Sequence, residues 1–385
     1  MQEFYHLNES CMLYYRTSPN MQTRIDAILN IRPEERRTVY LMLAQYFFMG
    51  AAMLFAQTAS MPLFLTYWDV SAIPFTYIGI AVIVSTITAI FLKISERVSL
   101  ARWLWLTMVF LVLVTLGFRF GLAAAPSKAL ALFLPIWTQT LINLAVLAFW
   151  TLASDIFDVR QGKRLFGLLN AGSWFSYVVA GPFSGTIAKS LGTENLYIII
   201  AACLFIALLF QSAILRGMKK PSIQNTDART PEQPPTSALF RNRYILLVFA
   251  LAALWRVAYF VMDAIFYGMT SIQFPNAADN AGFIGNFFSM VGLLGFLTDT
   301  FLTGRIISKF GLWAGLLTTP IVLIASMSGF ASVGIFASSW TLGLFWFAIA
   351  GKFNNEGLGF TLDQSASSIL YQPIADALRP KARAI

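Results

Sequence analysis

The chain has 385 residues, of which 57% are hydrophobic and 12% are charged, and its formal net charge is +9. A water-soluble domain of this length does not bury so much apolar surface, so the composition excludes an ordinary soluble protein and predicts one that lipid surrounds. The basic residues stand in short clusters between apolar runs, which favours loops at an anionic membrane surface over nucleic-acid binding. The two cysteines, Cys11 and Cys203, are far apart, there is no CxxC pair and the single histidine is His6, which argues against a zinc site, a disulfide framework or another cofactor.

Residues 1–37 precede the first apolar run and are modestly basic. They contain no compact apolar core followed by small residues, so we predict no cleavable signal sequence. We expect this N-terminal segment to lie in the cytoplasm, with its start at Met1 or Met21.

Ten apolar runs are long enough to cross a bilayer, for which a helix needs about 20 residues. The six runs of the first part cover residues 39–67, 73–92, 102–122, 129–153, 165–188 and 195–215, and the four of the second part cover 244–270, 282–303, 312–331 and 333–351. Between them, residues 216–243 are polar and rich in proline, which predicts a linker outside the membrane. We therefore predict an all-α polytopic membrane protein.

The distribution of basic residues predicts how the runs are oriented in the membrane. Threading the runs in order leaves only Arg119, Lys128 and Lys189 on the outer side and Arg256 inside a run, whereas the other basic residues, Lys352 among them, fall on the side of the N-terminal segment. Positive residues concentrate on the cytoplasmic side of membrane proteins. We therefore expect a multi-pass protein of the cell inner membrane with a cytoplasmic N-terminus.

Six spans, a cytoplasmic linker and further spans are the layout of transporters with two six-helix halves. We predict a six-helix bundle over residues 38–215 and a second bundle over residues 244–385, of which four helices are visible. The basic stretch at residues 379–385 is typical of a segment that precedes a span. We expect the sequence to stop just before an eleventh helix, and the alternative is a ten-helix protein.

The segment at residues 149–167, Phe-Trp-Thr-Leu-Ala-Ser-Asp-Ile-Phe-Asp-Val-Arg-Gln-Gly-Lys-Arg-Leu-Phe-Gly, resembles the loop between helices four and five of the ATP/ADP translocase (nucleotide transporter) branch of the major facilitator superfamily. Residues 362–384 are similar to the segment before helix eleven of that branch. The resemblance covers about residues 38–385 and implies a carrier. The chain differs at residues 39–67, which contain no basic residue, whereas nucleotide exchangers of this branch carry a functional lysine in helix one. Residues 181–185, Gly-Pro-Phe-Ser-Gly, resemble part of a glycine–proline motif of facilitator antiporters.

Polar residues inside the apolar runs are the candidates for substrate binding, because charges in the hydrocarbon are costly and are usually functional. Arg256 and Asp263 are seven residues apart in one run, on one face of a helix, and a guanidinium binds carboxylate or phosphate in a bidentate manner. The amides that complete the predicted site are Gln139, Asn143, Gln45 and Asn286. The alternatives are a structural ion pair for the arginine and interhelical hydrogen bonds for the amides.

A charged cluster after the fourth run is the candidate gate at the cytoplasmic mouth. It comprises Asp155, Asp158, Arg160, Lys163 and Arg164. Ion pairs here would break as the two halves rock, and the alternative is an ordinary basic loop with two acids.

These features predict a secondary transporter that works by alternating access on a small organic anion such as a nucleotide. The lipid bilayer and this solute are the expected partners, and no nucleic acid is expected. The sequence contains no Walker loop, the motif of ATP hydrolysis. The runs contain neither a histidine nor a GxSxG element, as an intramembrane enzyme would need. The alternative function is a transport-silent membrane anchor or sensor for soluble regulatory modules.

Overall fold

A computed structural model describes residue 29 and residues 31–95, 97–217, 243–298, 312–337 and 339–358 of the chain. Within these ranges the side chains of residues 159, 163, 252, 312–316, 318, 319 and 358 are not described. All regular secondary structure in the described part is helical, which confirms the predicted all-α class.

Eleven α-helices make up the described part of the chain. In chain order they are α1 (Arg36–Leu65), α2 (Ile73–Ser95), α3 (Leu100–Ala124), α4 (Lys128–Ile156), α5 (Val159–Ala180), α6 (Phe183–Leu191), α7 (Leu196–Gly217), α8 (Arg243–Gln273), α9 (Ala277–Leu297), α10 (Leu312–Phe336) and α11 (Thr341–Leu358). Short 3₁₀ turns precede α2 and α7, at Val70–Ala72 and Thr193–Asn195.

The first nine predicted runs are helical over most of their described residues, and seven helices of the described part are long and apolar enough to cross a membrane. These seven are α1, α2, α3, α4, α7, α8 and α9. The chain is therefore an all-α polytopic membrane protein. The fifth run is divided between α5 and α6, the apolar part of α10 spans only Pro320–Phe336, and α11 is polar in its second half. The total of ten crossings stays a prediction.

The predicted run at residues 333–351 is wrong in its position. The chain leaves α10 at Phe336 and forms α11 from Thr341 to Leu358. Lys352, which the charge map assigned to the cytoplasmic side, therefore lies inside a helix and is only 1% exposed. The sequence map ended the run at this lysine because it treated a basic residue as a boundary.

Helix α1 is the centre of the first predicted half and packs against α4, α5 and α7. Its buried residues are mostly small or flexible, such as Met49, Ala52 and Ala56, and small residues allow helices to approach closely within a membrane. The ring of Tyr46 stacks on Phe149 of α4 with centroids 3.8 Å apart. These contacts form one apolar core that extends to α9 of the second predicted half.

Proline divides the fifth run. Pro182 has no amide hydrogen, so the carbonyl of Val178, four residues earlier, cannot receive its usual helical hydrogen bond. The hydroxyl of Ser289 in α9 donates to this carbonyl at 3.1 Å. The break between α5 and α6 therefore provides a hydrogen bond between the two predicted halves.

The seam between α6 and α9 is a close backbone contact between glycines. A Cβ atom on Gly185 would lie 2.8 Å from the Cα of Gly282, a separation that real Cβ atoms do not tolerate. At the end of the seam, Nζ of Lys189 lies 2.8 Å from Oδ1 of Asp279. The contact continues between α5 and α9, where a Cβ atom on Gly295 would lie 2.8 Å from the ring of Trp174. We call the face of the bundle at which α1 ends the predicted outer face and the opposite one the predicted cytoplasmic face.

Candidate functional site

Three buried charged side chains meet between α8 and α11. The ammonium group of Lys352 donates hydrogen bonds to Oδ1 of Asp263 and to Oε1 of Glu356, the latter at 2.5 Å. Lys352 and Glu356 are four residues apart and so lie on one face of α11. Asp263 faces them from the middle of α8. We call these three residues the charged triad.

Aromatic side chains surround the charged triad. The hydroxyl of Tyr77, near the start of α2, donates to Oδ2 of Asp263 at 3.0 Å, and the hydroxyl of Tyr259 donates to Oε1 of Glu356 at 2.8 Å. The ring of Tyr259 also lies 4.8 Å from the Lys352 ammonium, with the ring of Tyr267 at 5.8 Å. The negative faces of aromatic rings attract a cation, so the lysine is stabilised by rings as well as by carboxylates.

The charged triad is unusual because the burial of its charges costs free energy. Burying a charge costs several kcal/mol even after structural relaxation, and an ion pair recovers this only with good geometry and further hydrogen bonds. Each carboxylate here has one ammonium and one hydroxyl partner, which provides that geometry. Ionisable residues within a membrane protein are functional candidates by default.

A small polar cavity adjoins Asp263. Side chains from α1, α2, α4 and α8 line it, including Gln57, Tyr77, Gln139, Tyr259 and Asp263. Its volume is about 20 Å³, which is room for about one water molecule. A larger solute therefore needs this region to widen. The amide nitrogen of Gln57 donates to the hydroxyl of Tyr177 at 2.8 Å, so the amide already has a fixed orientation.

Arg256 lies on the same face of α8 as Asp263, as the seven-residue spacing predicts. Its guanidinium is 5.3 Å from the ring of Trp255, 5.8 Å from that of Tyr259 and 6.0 Å from that of Phe260. The side chain is exposed, and within the described ranges no carboxylate pairs with it. Arg256 and Asp263 therefore share a face of α8 without forming an ion pair, and the arginine is nearer to the predicted cytoplasmic face.

The structure distributes the predicted amides among different places. Gln139 lines the cavity, and Asn143, one turn further along α4, is exposed and donates to the carbonyl of Gln139 at 3.3 Å. Gln45 is fully buried against α7 and donates to Oε1 of Gln211 at 3.0 Å. Asn286 is exposed on α9, on the side of Met290 and Leu293. The structure does not bring Gln45 or Asn286 to the cavity, because both lie on other faces of their helices.

The predicted gate residues form contacts inside the first predicted half. Arg164 of α5 pairs with Glu35 at 2.5 Å, and both side chains are largely buried, at 16% and 6% exposure. Gln161 donates to the other oxygen of Glu35 at 3.2 Å. Asp158 caps α5 in a capping box with Gln161, whereas Asp155 and Arg160 are exposed. The side chain of Lys163 lies outside the described residues.

Sequence reasoning missed the basic and acidic partners of Asp263. The last predicted run ended before Lys352, and the sequence analysis gave no role to Glu356. Their spacing of four residues was the available signal, since such a pair stabilises a helix when both residues share a face. Glu35 was missed because it precedes the first run.

Comparison with known proteins identifies the family to which the chain is similar. The family model described as TLC ATP/ADP transporter matches residues 132–349, which is more than half of the chain. "ADP,ATP carrier protein 1" of Chlamydia trachomatis serovar D is 23% identical over 281 residues, which cover 65% of this chain and 53% of the relative. The Chlamydia muridarum protein of the same name is 24% identical with the same coverage. "ADP,ATP carrier protein 2" of Chlamydia pneumoniae is 20% identical over 242 residues, 54% of this chain and 44% of the relative.

The chain spans about half the length of the curated relatives that it matches. These relatives are named as carriers and not as enzymes. The matched region of the family model runs from α4 to the first half of α11, and so includes Arg256 and Asp263 but ends three residues before Lys352. The chain belongs to the TLC ATP/ADP transporter family.

Proposed function

We propose that this protein carries a nucleotide across the membrane by alternating access. The observation that carries the proposal is the charged triad, which lies deep between α8 and α11 next to a polar cavity, in a chain of a carrier family. Binding sites of such transporters lie near the middle of the membrane, between two helical halves. The cytoplasmic N-terminus and the inner membrane remain part of this proposal, as the basic residues predict.

The arrangement of the two predicted halves supports alternating access. Tyr77 and Asp263 join the halves through a hydrogen bond, and a Cβ atom on Gly268 would lie 2.9 Å from Cγ1 of Val70. Tyr77 and Asp263 themselves line the cavity, and the contact of Gly268 with Val70 and the seam between α6 and α9 lie towards the predicted outer face. Arg256 and Asn143, towards the predicted cytoplasmic face, are exposed. On this proposal the two halves are closed towards the predicted outer face, and the solute approaches from the predicted cytoplasmic face along Arg256.

Lys352 has a role in this cycle that follows from its partners. An ammonium held by two carboxylates is unavailable to a phosphate until one of them moves. Because α8 and α11 carry the opposing charges, a shift of one helix against the other would release the lysine and expose it to an anion. We assign Lys352 as the residue whose ion pairs change between the states of the cycle.

Uptake by reconstituted protein tests the proposal. Purified protein in liposomes is expected to take up or exchange labelled adenine nucleotides, and Lys352→Gln is expected to abolish this. Lys93→Gln, at an exposed lysine near the end of α2, is the matched control and should transport normally. If folded protein carries no nucleotide in either direction, nucleotide transport is wrong and the transport-silent anchor is favoured. If Lys352→Gln transports as well as Lys93→Gln, the role given to the charged triad is wrong.

A further inference from the structure

The corner between α2 and α3, at the predicted cytoplasmic face, carries two exposed arginines. Arg97 lies in the turn between the helices, and Arg102 lies in the first turn of α3. The indole nitrogen of Trp103 donates to the carbonyl of Phe91 at 2.8 Å and so fixes α3 against α2. The backbone nitrogen of Arg97 donates to the carbonyl of Ile94 at 3.0 Å. Both arginines are therefore attached to a backbone that hydrogen bonds hold in place.

Neither arginine pairs with a carboxylate within the ranges that the structure describes. In the sequence, Glu96 is the only acidic residue between positions 70 and 154, and it lies outside the described residues. A basic residue in the first turn of a helix opposes the helix dipole, which favours acidic residues at that end. The stability of α3 therefore does not explain the presence of Arg102.

One face of α3 continues from Arg102 as an exposed apolar surface. Arg102, Leu106, Leu113 and Phe120 follow one another at spacings of four, seven and seven residues, which places them on one face of the helix. Leu106, Leu113 and Phe120 are exposed, whereas Leu111 on the opposite side is fully buried. Because α3 is long and apolar enough to cross a membrane, this exposed face is the one that lipid chains contact. Arg102 thus lies at the end of a lipid-facing row.

Lys93, the other basic residue near this corner, lies outside the surface. The ring of Phe91 is 5.1 Å from the ring of Phe110 in α3, so Phe91 faces α3. Lys93 follows two residues later, which turns its side chain by about 200° to the other side of α2. The two arginines and the lysine therefore carry the same charge near the same corner but on different faces.

We propose that Arg97 and Arg102 bind the phosphate of an anionic phospholipid, whose acyl chains lie along the exposed apolar face of α3. A guanidinium binds phosphate through two parallel hydrogen bonds, and basic residues beside a membrane-spanning helix attract anionic lipids. Trp105, exposed one turn after Arg102, is of a residue type that is enriched at the membrane interface. The occupant is a lipid and not a soluble phosphate, because the arginines adjoin the apolar face.

Native mass spectrometry of the purified full chain in detergent tests this site. Phosphatidylglycerol is expected to bind about tenfold more tightly than phosphatidylcholine with the same acyl chains, because only the former has a net negative charge. Equal affinity for the two lipids, or folded protein that binds neither of them, overturns the proposal.

A soluble headgroup distinguishes a lipid from a free phosphate. Glycerol phosphate at the same concentration as phosphatidylglycerol is expected to displace none of the bound lipid, because it cannot contact the apolar face of α3. Displacement of the lipid by equimolar glycerol phosphate overturns the lipid assignment.

Single substitutions test the two arginines. Arg97→Gln and Arg102→Gln are each expected to weaken phosphatidylglycerol binding by about fivefold, the effect of one basic residue near a membrane surface. Lys93→Gln is the matched control, because it removes the same charge from an exposed position on the other side of α2, and its affinity should equal that of the parent. An equal loss in all three variants shows that the lipid responds to general surface charge, which overturns the site.

Restoring the charge completes the test. Arg102→Lys is expected to bind phosphatidylglycerol more tightly than Arg102→Gln, since the ammonium replaces one positive charge with another. Equal affinity of the two variants overturns the role given to charge at this position. Arg97 and Arg102 are exposed, so these substitutions keep the fold, and an unchanged melting temperature identifies folded protein.

Discussion

The Nζ atom of Lys352 lies 2.5 Å from Oε1 of Glu356, one turn further along α11. Lys352 also holds Asp263 across the helix interface, so one ammonium serves two carboxylates. An ion pair of this kind is costly to form and more costly to break, because the remaining charge is then buried without a partner. The charged triad therefore links the stability of the second predicted half to its function.

Lys352→Met is expected to lower the free energy of unfolding by about 3–5 kcal/mol, the usual effect of removing one partner of a buried pair. Thermal unfolding in detergent measures the change. Adding Asp263→Asn to Lys352→Met is expected to restore part of the loss, since one fewer buried charge lacks a partner. Lys93→Met, at an exposed position, is the control. Equal melting temperatures for the Lys352 and Lys93 variants would contradict the prediction.

Glu35→Ala is expected to destabilise the protein by about 3 kcal/mol, because it removes the carboxylate of a largely buried ion pair. Glu35 also accepts hydrogen bonds from the backbone nitrogen of Arg32 and from Gln161. Glu34→Ala changes the neighbouring acid, which is exposed, and should have an effect below about 0.5 kcal/mol. Equal unfolding temperatures for Glu35→Ala and Glu34→Ala would contradict the prediction.

Gly185→Ala is expected to destabilise the seam between α6 and α9 by about 1–3 kcal/mol, because the new methyl group meets the backbone of Gly282 and no side chain can move aside. Gly167→Ala in α5 has open space around the position and should stabilise by about 0.5–1 kcal/mol through helix propensity. Chemical or thermal unfolding measures the change in the free energy of unfolding, which is expected to have opposite signs in the two variants. The same sign for both would show that the backbones of α6 and α9 are not in close contact at Gly185.

Tyr77→Phe is expected to loosen the outer closure, since its hydrogen bond to Asp263 joins the two predicted halves at 3.0 Å. A hydrogen bond to a charged group contributes about 1.5–3 kcal/mol, so opening should increase by roughly tenfold or more. The measurement is the rate at which an impermeant maleimide labels Thr270→Cys, a buried position near the outer end of α8, in a background with Cys11→Ser and Cys203→Ser.

The matched control for this experiment is Tyr67→Phe. Tyr67 lies in the turn after α1 and has no side-chain hydrogen bond among those of the described residues. Labelling should be as slow in this variant as in the parent. A Tyr77→Phe protein that labels no faster than the Tyr67→Phe protein would show that this hydrogen bond does not hold the outer side closed.

The helices could be predicted well from the sequence, because a membrane imposes a length and an apolar composition on each crossing. The first nine apolar runs are helical over most of their described residues, and the shared face of Arg256 and Asp263 follows from helical periodicity alone. The position of α11 could not be predicted in this way. Lys352 and Glu356 make that helix polar, and their cost is offset by Asp263 and two tyrosines that lie far away in the sequence.

The site could be predicted only in part, for a related reason. Asp263 and Gln139 line the cavity, and both were identified because a polar residue in an apolar run is rare. The same criterion also selected Gln45, whose partner is Gln211 on a neighbouring helix. Polarity in a single sequence cannot distinguish a residue that faces a cavity from one that faces another helix, since both avoid lipid.

The hydrogen bond between Ser289 and the carbonyl oxygen of Val178 has a consequence for tolerance to mutation. Its acceptor is a backbone atom, so any side chain that fits the helix can replace valine at position 178 without removing the bond. The constraint falls instead on Ser289 and on Pro182, which keeps the carbonyl available. A mutational scan of this contact is expected to find that Ser289 and Pro182 do not tolerate substitution, whereas Val178, which provides the backbone acceptor, does.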